Sequence, residues 1–432
     1  MSELVDNLSP EIIAIIAQYL ESKDFFNLRL STLYLRDSTA ALFLKLYFRT
    51  RTHMLSRHSL MNLLDISHHP IFGPSIQSVV ITTNHLTPDG LSDEPYLPGR
   101  TERNVSPPIN KESYREYYIQ QNSFRQSGLD TTYLSEILAN AVHCRTLALA
   151  DHDQPWGAAF LQRETGVYPT SSMEKEYSKI YIQQVIHVII AAATASGALI
   201  ETFELDAGLG RAMSPSVLRF PELHRIQLPW AGTLTSLQLL MGPDYDENPL
   251  VWSKPLVDFI LLFPRLEVLD LYFDTRLQRT GFQALSRALN LPNLRVLRIG
   301  GFDCLSNDLI LLFDKHQNTL REIVLNDVNI STKPEGSWQK FVTMLGDQLQ
   351  ITRKRRGVYS VGPPMAMELM LSHDFIEELA RELEVDQGEH RHTADLNNGI
   401  VDISVDISTK CREPSAYAVS WGLRRDIVVE RV

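Results

Sequence analysis

The stretch Pro264-Arg265-Leu266-Glu267-Val268-Leu269-Asp270-Leu271, answered 28 residues later by Pro292-Asn293-Leu294-Arg295-Val296-Leu297-Arg298-Ile299, decides the fold. Both pieces set apolar residues in the frame L-x-x-L-x-L behind a proline. Alternation at the end of the frame is the period of a strand with one buried face. The proline pre-sets the turn that leads the chain into that strand. Between the two pieces Gly281–Leu289 has apolar residues at helical spacing. A strand–helix–strand unit recurring at so short an interval cannot bury its own apolar face and must stack on its neighbours.

Working outward, the same frame recurs at Ile76-Val79-Ile81, Cys144-Leu147-Leu149, Ile200-Phe203-Leu205, Leu223-Ile226-Leu228 and Leu320-Ile323-Leu325. The middle residues of successive units lie 68, 56, 23, 43, 28 and 26 positions apart, so the longer intervals imply insertions. Helical patterns at Tyr133–Val142, Glu174–Ser196, Leu256–Phe263 and Asp308–His316 fill the gaps, and Phe220-Pro221-Glu222-Leu223 repeats the proline turn. The expected fold is α/β, an irregular leucine-rich-repeat solenoid (horseshoe) over 76–349 with parallel strands inside. A conventional layered α/β domain is the alternative, since its strands also read as apolar runs. Three places past the last apolar residue of each unit, asparagine occurs only at Asn84, which makes the predicted solenoid irregular.

Two insertions interrupt the repeat. Leu86 to Gly128 is polar with five prolines, and Asp151 to Ser172 holds Pro155, Trp156, Gly157 and Pro169. Both are expected to be mobile loops, and Trp156 is the aromatic in them most worth watching. Segment 49–75 reads as a helical connector with Leu55, Leu60, Leu63 and Leu64 on one face, and 350–432 as a C-terminal cap and tail. In that tail lie the basic run Arg353-Lys354-Arg355-Arg356, an amphipathic helix Phe375–Val385 and an alternating strand Ile400–Ile407. The basic run is expected to be a solvated helix end; a nuclear-import signal or a phosphate-facing patch is the other reading.

The first 48 residues have a different character. Leu8-Ser9-Pro10-Glu11-Ile12-Ile13 opens a helix, with Ser9 as N-cap and Pro10 where its missing N–H costs nothing. Two further helical runs follow, one through Phe25-Phe26-Asn27-Leu28-Arg29-Leu30 and one from Thr32 to Leu46. Three short helices make a marginal core, and Leu8, Ile12, Ile13 and Phe25 are expected to remain over as partner-binding surface.

The pattern Leu8-x-Pro10-Glu11-Ile12, with Leu20, Asp24-Phe25, Leu28-Arg29-Leu30 and Leu35-Arg36, resembles an F-box, the three-helix hook of cullin-RING ubiquitin-ligase receptors. Ser9 stands where that family has its proline. With the repeats behind it, the chain resembles the leucine-rich-repeat class of F-box receptors, particularly the irregular fungal kind. The resemblance implies a domain at 3–48 that binds a Skp-family adaptor through Leu8, Pro10, Ile12, Ile13, Ile16, Leu20, Phe25 and Leu28. It also implies a substrate receptor of an SCF ligase whose repeats hold a protein target.

Composition bounds the remaining possibilities. A net charge of −11 and pI near 5.6 argue against a nucleic-acid binder, which needs a basic face. No apolar run is long enough for a spanning helix, and Glu3 and Asp6 near the start do not suit a signal peptide. Cys144, Cys304 and Cys411, odd in number and far apart, suit a reducing compartment, cytoplasmic or nuclear. No phosphate-loop, dinucleotide or nucleophile-elbow motif is present, and His68-His69 and His390-x-His392 lack partners at metal-ligand spacing. No catalytic residue, metal or cofactor is assigned.

Alternation along the repeat strands turns Glu204 and Asp206, Arg225 and Gln227, Asp270 and Tyr272, Arg298, and Glu322 and Asn326 outward, and these form the predicted target face. Its mixed charge suits a protein partner. A second reading is a repeat scaffold without any ligase, its N-terminal helices serving as an end cap. The two differ in one observable: a cap buries its leftover apolar face, and a receptor leaves it open.

Overall fold

The computed structural model describes residues 8–91, 109–151, 154–170, 176–208, 212–219, 228–243, 249–277, 279–331 and 366–371. It opens on four short helices, α1 (Pro10–Ala17), α2 (Ser22–Ser31), α3 (Leu33–Ser38) and α4 (Ala40–Tyr47). The run expected over Thr32 to Leu46 is therefore broken in two. Thr39 breaks it: its hydroxyl donates to the Leu35 carbonyl at 2.7 Å and accepts from Arg29 Nη1 at 2.9 Å. A hydroxyl that takes the carbonyl four residues back competes with the helical ladder. Thr32 caps α3 by accepting from Leu35 N at 3.1 Å. Ala17, Phe25 and Leu42 form the buried centre of this unit, with Leu20, Leu28, Phe43 and Tyr47 packed around them.

The rest of the chain runs β1 (Thr50–Met54), α5 (Arg57–His68), β2 (Ser78–Thr82), α6 (Lys111–Gln126), α7 (Leu129–Asn140), β3 (Thr146–Ala150), α8 (Ala158–Thr165), α9 (Glu176–Ser196) and β4 (Thr202–Asp206). It continues β5 (Ser236–Met241), α10 (Pro249–Ile260), β6 (Val268–Leu277), α11 (Arg279–Ala288), β7 (Val296–Leu305), α12 (Ser306–His316), β8 (Glu322–Ser331) and β9 (Ala366–Leu371). All nine strands join one parallel sheet in chain order. A parallel crossover is right-handed almost without exception, so a sheet that always steps to the next strand gathers its helices on one face.

The burial of the strands follows from that layout. Leu147 and Leu149, Phe203 and Leu205, Leu237 and Leu239, Leu269 and Leu271, and Leu297 and Ile299 are buried in the core between sheet and helices. The alternate residues, such as Glu204, Asp270 and Arg298, point the other way and are half-buried. The first residue of each L-x-x-L-x-L frame closes the turn before its strand. Leu266 N bonds Phe263 O at 3.2 Å, Leu294 N bonds Leu291 O at 3.2 Å, and Cys144 N bonds Ala141 O at 2.8 Å. Each of these residues is buried, so the frame is one turn anchor and two core-facing strand positions.

Several expectations are corrected. The connector over 49–75 is not wholly helical, because Thr50–Met54 is the first strand of the sheet, paired in register with Ser78–Thr82. Thr-Arg-Thr-His carries too little apolar signal for the frame to catch it. The place beside β4 belongs to Ser236–Met241, with Thr202 opposite Ser236 and Phe203 opposite Leu237. The unit expected at Leu223-Ile226-Leu228 is therefore not the neighbour of β4; its first two positions lie outside the described residues. Leu234-Leu237-Leu239 meets the same frame and makes the spacing more even. The insertion from Leu86 contains α6, and the one from Asp151 contains α8, so neither is simply a loop. β9 was not foreseen, and Arg353–Arg356, Phe375–Val385 and Ile400–Ile407 lie outside the described residues.

Candidate functional site

Two surfaces stand out, one on the N-terminal helices and one on the open face of the sheet. On α1, Ile13 and Ala17 are one turn apart and turn inward. Ile12, Ile15, Ile16 and Tyr19 fall on the remaining faces of a helix apolar nearly all round. Ile12 is 47% exposed, Ile16 48% and Tyr19 85%, while Leu30 at the end of α2 is 84% exposed and Leu33 68%. Phe26 on α2 is 41% exposed and packs against Phe43 and Tyr47. A patch of this kind on so small a unit is unusual for a surface that meets only water.

The predicted adaptor residues divide. Pro10, Ile12 and Ile16 are exposed, and Leu8, Leu20 and Leu28 are half-buried. Ile13 and Phe25 are not available: they are 3% and 1% exposed. Phe25 stacks on Tyr47, ring centroids 5.9 Å apart, and the Arg29 guanidinium lies 4.0 Å from the Phe43 centroid. Ile15, Tyr19, Phe26, Leu30 and Leu33 were missed. A helical wheel could have found the first two, since two apolar stripes on one short helix cannot both face a core.

The N-terminal unit is fixed to the sheet by aromatic packing. Phe43 meets Phe48 edge-on at 5.3 Å, Phe48 stacks on Phe72 at 4.2 Å, and Phe72 stacks on His69 at 4.0 Å. Below this column Arg51 donates from Nη1 to Tyr47 O at 2.7 Å and from Nη2 to His53 Nε2 at 3.2 Å. Nε2 thus accepts, and Nδ1 donates to Ser59 at about 3 Å. The backbone of Trp156 pairs with the free edge of β1, donating to Thr52 O at 2.9 Å and accepting from Met54 N at 3.3 Å. Trp156 is therefore an edge-cover of the first strand, its indole half exposed.

On the open face the register brings the predicted target residues together. Glu204 lies opposite Gln238, Gln238 opposite Asp270, Asp270 opposite Arg298, and Tyr272 opposite Gly300, which faces Asn326. Arg225 and Gln227 lie outside the described residues; Ser236 and Gln238, which flank Leu237, take the positions assigned to them. Arg298 bridges two strands, with Nη2 2.9 Å from Glu322 Oε1 and Nη1 3.4 Å from Asp270 Oδ2. Burial alone would lower the Arg298 pKa, but Asp270 and Glu322 raise it on balance. Burial raises the Glu204 pKa, helped by Asp206 and Asp270. Asp206 is raised by burial, with Asp151 and Asp274 adding to the effect. The centre of this face is thus acidic and pinned by one arginine.

Other chemistry is sparse. Among the described residues no three His, Cys, Asp or Glu side chains are placed to hold a metal ion, and no helix is long and apolar enough to cross a membrane. Cys144 and Cys304 are buried free thiols, and burial pushes Cys144 up to about 11. No family model matches the chain, and no curated protein does either.

Proposed function

We propose that this chain is a substrate receptor of an SCF-type ubiquitin ligase: an F-box hook followed by an irregular leucine-rich-repeat solenoid. The exposed apolar stripe Ile12–Ile15–Ile16–Tyr19, with Leu30 and Leu33 also exposed on α2 and α3, carries the reading. An end cap would turn that stripe onto the first repeat unit. Here the N-terminal helices meet the rest of the chain through Phe43, Phe48 and Phe72, and Ile12 and Ile16 stay about half exposed. Sequential parallel strands behind helices on one face also suit stacked repeat units. The hook takes a Skp-family adaptor and through it a cullin-RING ligase, in cytoplasm or nucleus, while the open face around Glu204, Asp206, Asp270, Tyr272, Arg298 and Asn326 holds a protein target.

The mechanism is proximity. The chain itself moves no atoms; it holds target lysines near a charged ubiquitin carrier and raises their effective concentration there. Rigidity between hook and sheet matters for that task, and the Phe43–Phe48–Phe72–His69 column supplies it.

The test is co-expression with a tagged Skp-family adaptor. Wild type is expected to be captured, and Ile12→Asp/Ile16→Asp is expected to be lost from the complex with an unchanged melting temperature, since both residues are exposed. No capture of folded wild type would end the receptor reading. The non-ligase scaffold would then stand.

A further inference from the structure

A second feature lies where the N-terminal helices meet the sheet. A cavity of about 810 Å³ opens between α4 and the starts of β1, β2 and β3. Its cationic lining is Lys45, Arg49 and Arg145, with His143 beside them, and among the described residues no acidic side chain lines it. That is a basic island in a chain of net charge −11.

The backbone explains why these residues converge. Arg49 O accepts from Gln77 N at 2.8 Å and Ser78 N at 3.0 Å, and Gln77 O accepts from Arg145 N at 2.9 Å and Thr146 N at 3.1 Å. Residues just before each strand are therefore stacked across the sheet, as are the first strand residues. Thr50, Ser78 and Thr146 stand in register on the open face, on strands about 4.8 Å apart. All three line the cavity. Arg145 is partly engaged, its Nε 3.2 Å from Glu201 Oε1. Among the described residues Lys45 and Arg49 form no ion pair. Converging cations without counter-charges repel one another, and a bound anion relieves that repulsion.

We propose that this cavity binds a small organic phosphate monoester of sugar-phosphate or mononucleotide size. A phosphate dianion offers three strong acceptor oxygens, which match three hydroxyl donors and two unpaired cations. The cavity volume is that of a whole small-molecule site and far exceeds what a bare phosphate fills. Leu46 and Gln77 on its wall provide an apolar and a polar contact for the organic part. Because Lys45 and Leu46 belong to α4 and the other residues to the first strands or the segments just before them, the ligand would also tie the N-terminal unit to the sheet. The proposal does not depend on the adaptor reading.

Calorimetric titration of the full chain tests it, with glucose 6-phosphate and adenosine monophosphate as probes and glucose, adenosine and inorganic phosphate as controls. Expected are saturable binding of at least one ester, none of its dephosphorylated parent, and weakening of about tenfold or more in Lys45→Gln/Arg49→Gln. Arg115→Gln, a charge removed from the exposed side of α6, is expected to leave binding unchanged. Three results would overturn the proposal: no saturable binding of either ester at millimolar concentration, equal binding in the double variant, or inorganic phosphate binding as tightly as the esters. Both substituted cations are exposed, and matched melting curves verify that the variants are folded.

Discussion

At the residue scale, buried histidines tie stability to pH. His85 donates from Nδ1 to Thr83 O at 2.8 Å, accepts at Nε2 from Ser178 Oγ at 2.9 Å, and stacks on Tyr181 at 4.2 Å. Burial holds its pKa down to about 4, and burial together with Arg51 holds His53 down to about 3. In the unfolded chain both histidines titrate near their ordinary value of about 6.5, so below that pH the unfolded state binds more protons. The stability these neutral rings contribute is therefore complete above about pH 6.5 and is lost as pH falls toward 4. We expect the melting temperature to drop between about pH 7 and 5 and to drop less in His85→Gln. An equal drop in the variant would remove His85 from the explanation. Little of this was legible beforehand: Asn84 stood out only as the asparagine three places past a repeat unit, and nothing marked His85. The cover that buries them comes from far along the chain, with Asn84 Nδ2 donating to Pro169 O at 3.4 Å and Ser178 lying on α9.

At the scale of elements, the frame of turn anchor and two core residues located β2, β3, β4, β6, β7 and β8 because each buries one face. It assigned Glu204, Asp270, Arg298 and Asn326 to a common face for the same reason. It missed β1, whose core-side positions are Arg51 and His53 rather than aliphatic residues. It also took Leu223-Ile226-Leu228 for a unit and passed over Leu234-Leu237-Leu239, which meets the frame equally well, and pattern alone cannot rank the two. Pairing ranks them, and it predicts the cost of error: Leu237 is fully buried between Phe203 and Leu269 on the neighbouring strands. Leu237→Ala is expected to lower unfolding free energy by about 2–5 kcal/mol in denaturant titration. A loss of a few tenths would contradict the assignment of β5. β7 carries a second test at Gly301, whose φ is +74° and where a Cβ would stand 1.9 Å from Phe273 O. Gly301→Ala is expected to destabilise by more than about 1 kcal/mol, since backbone can yield neither the angle nor the space cheaply.

At the scale of the whole molecule, a small helical unit with an exposed apolar stripe is joined to a sheet whose open face mixes charged residues such as Glu204, Asp270 and Arg298 with buried Ala148, Leu240 and Val324. That the first 48 residues form a small helical unit with apolar residues left over was legible from spacing, but which of them stay exposed was not. Ile13 and Phe25 fill the unit's own core because three or four short helices must first bury something against one another. The stripe of Ile12, Ile15, Ile16 and Tyr19 is what that core leaves over. The most direct measurement is amide hydrogen exchange of the full chain with and without a purified Skp-family adaptor. The account predicts new protection in peptides covering Pro10 to Leu33 and unchanged exchange across β4 to β8. Absence of protection there, or protection confined to the sheet, would contradict it.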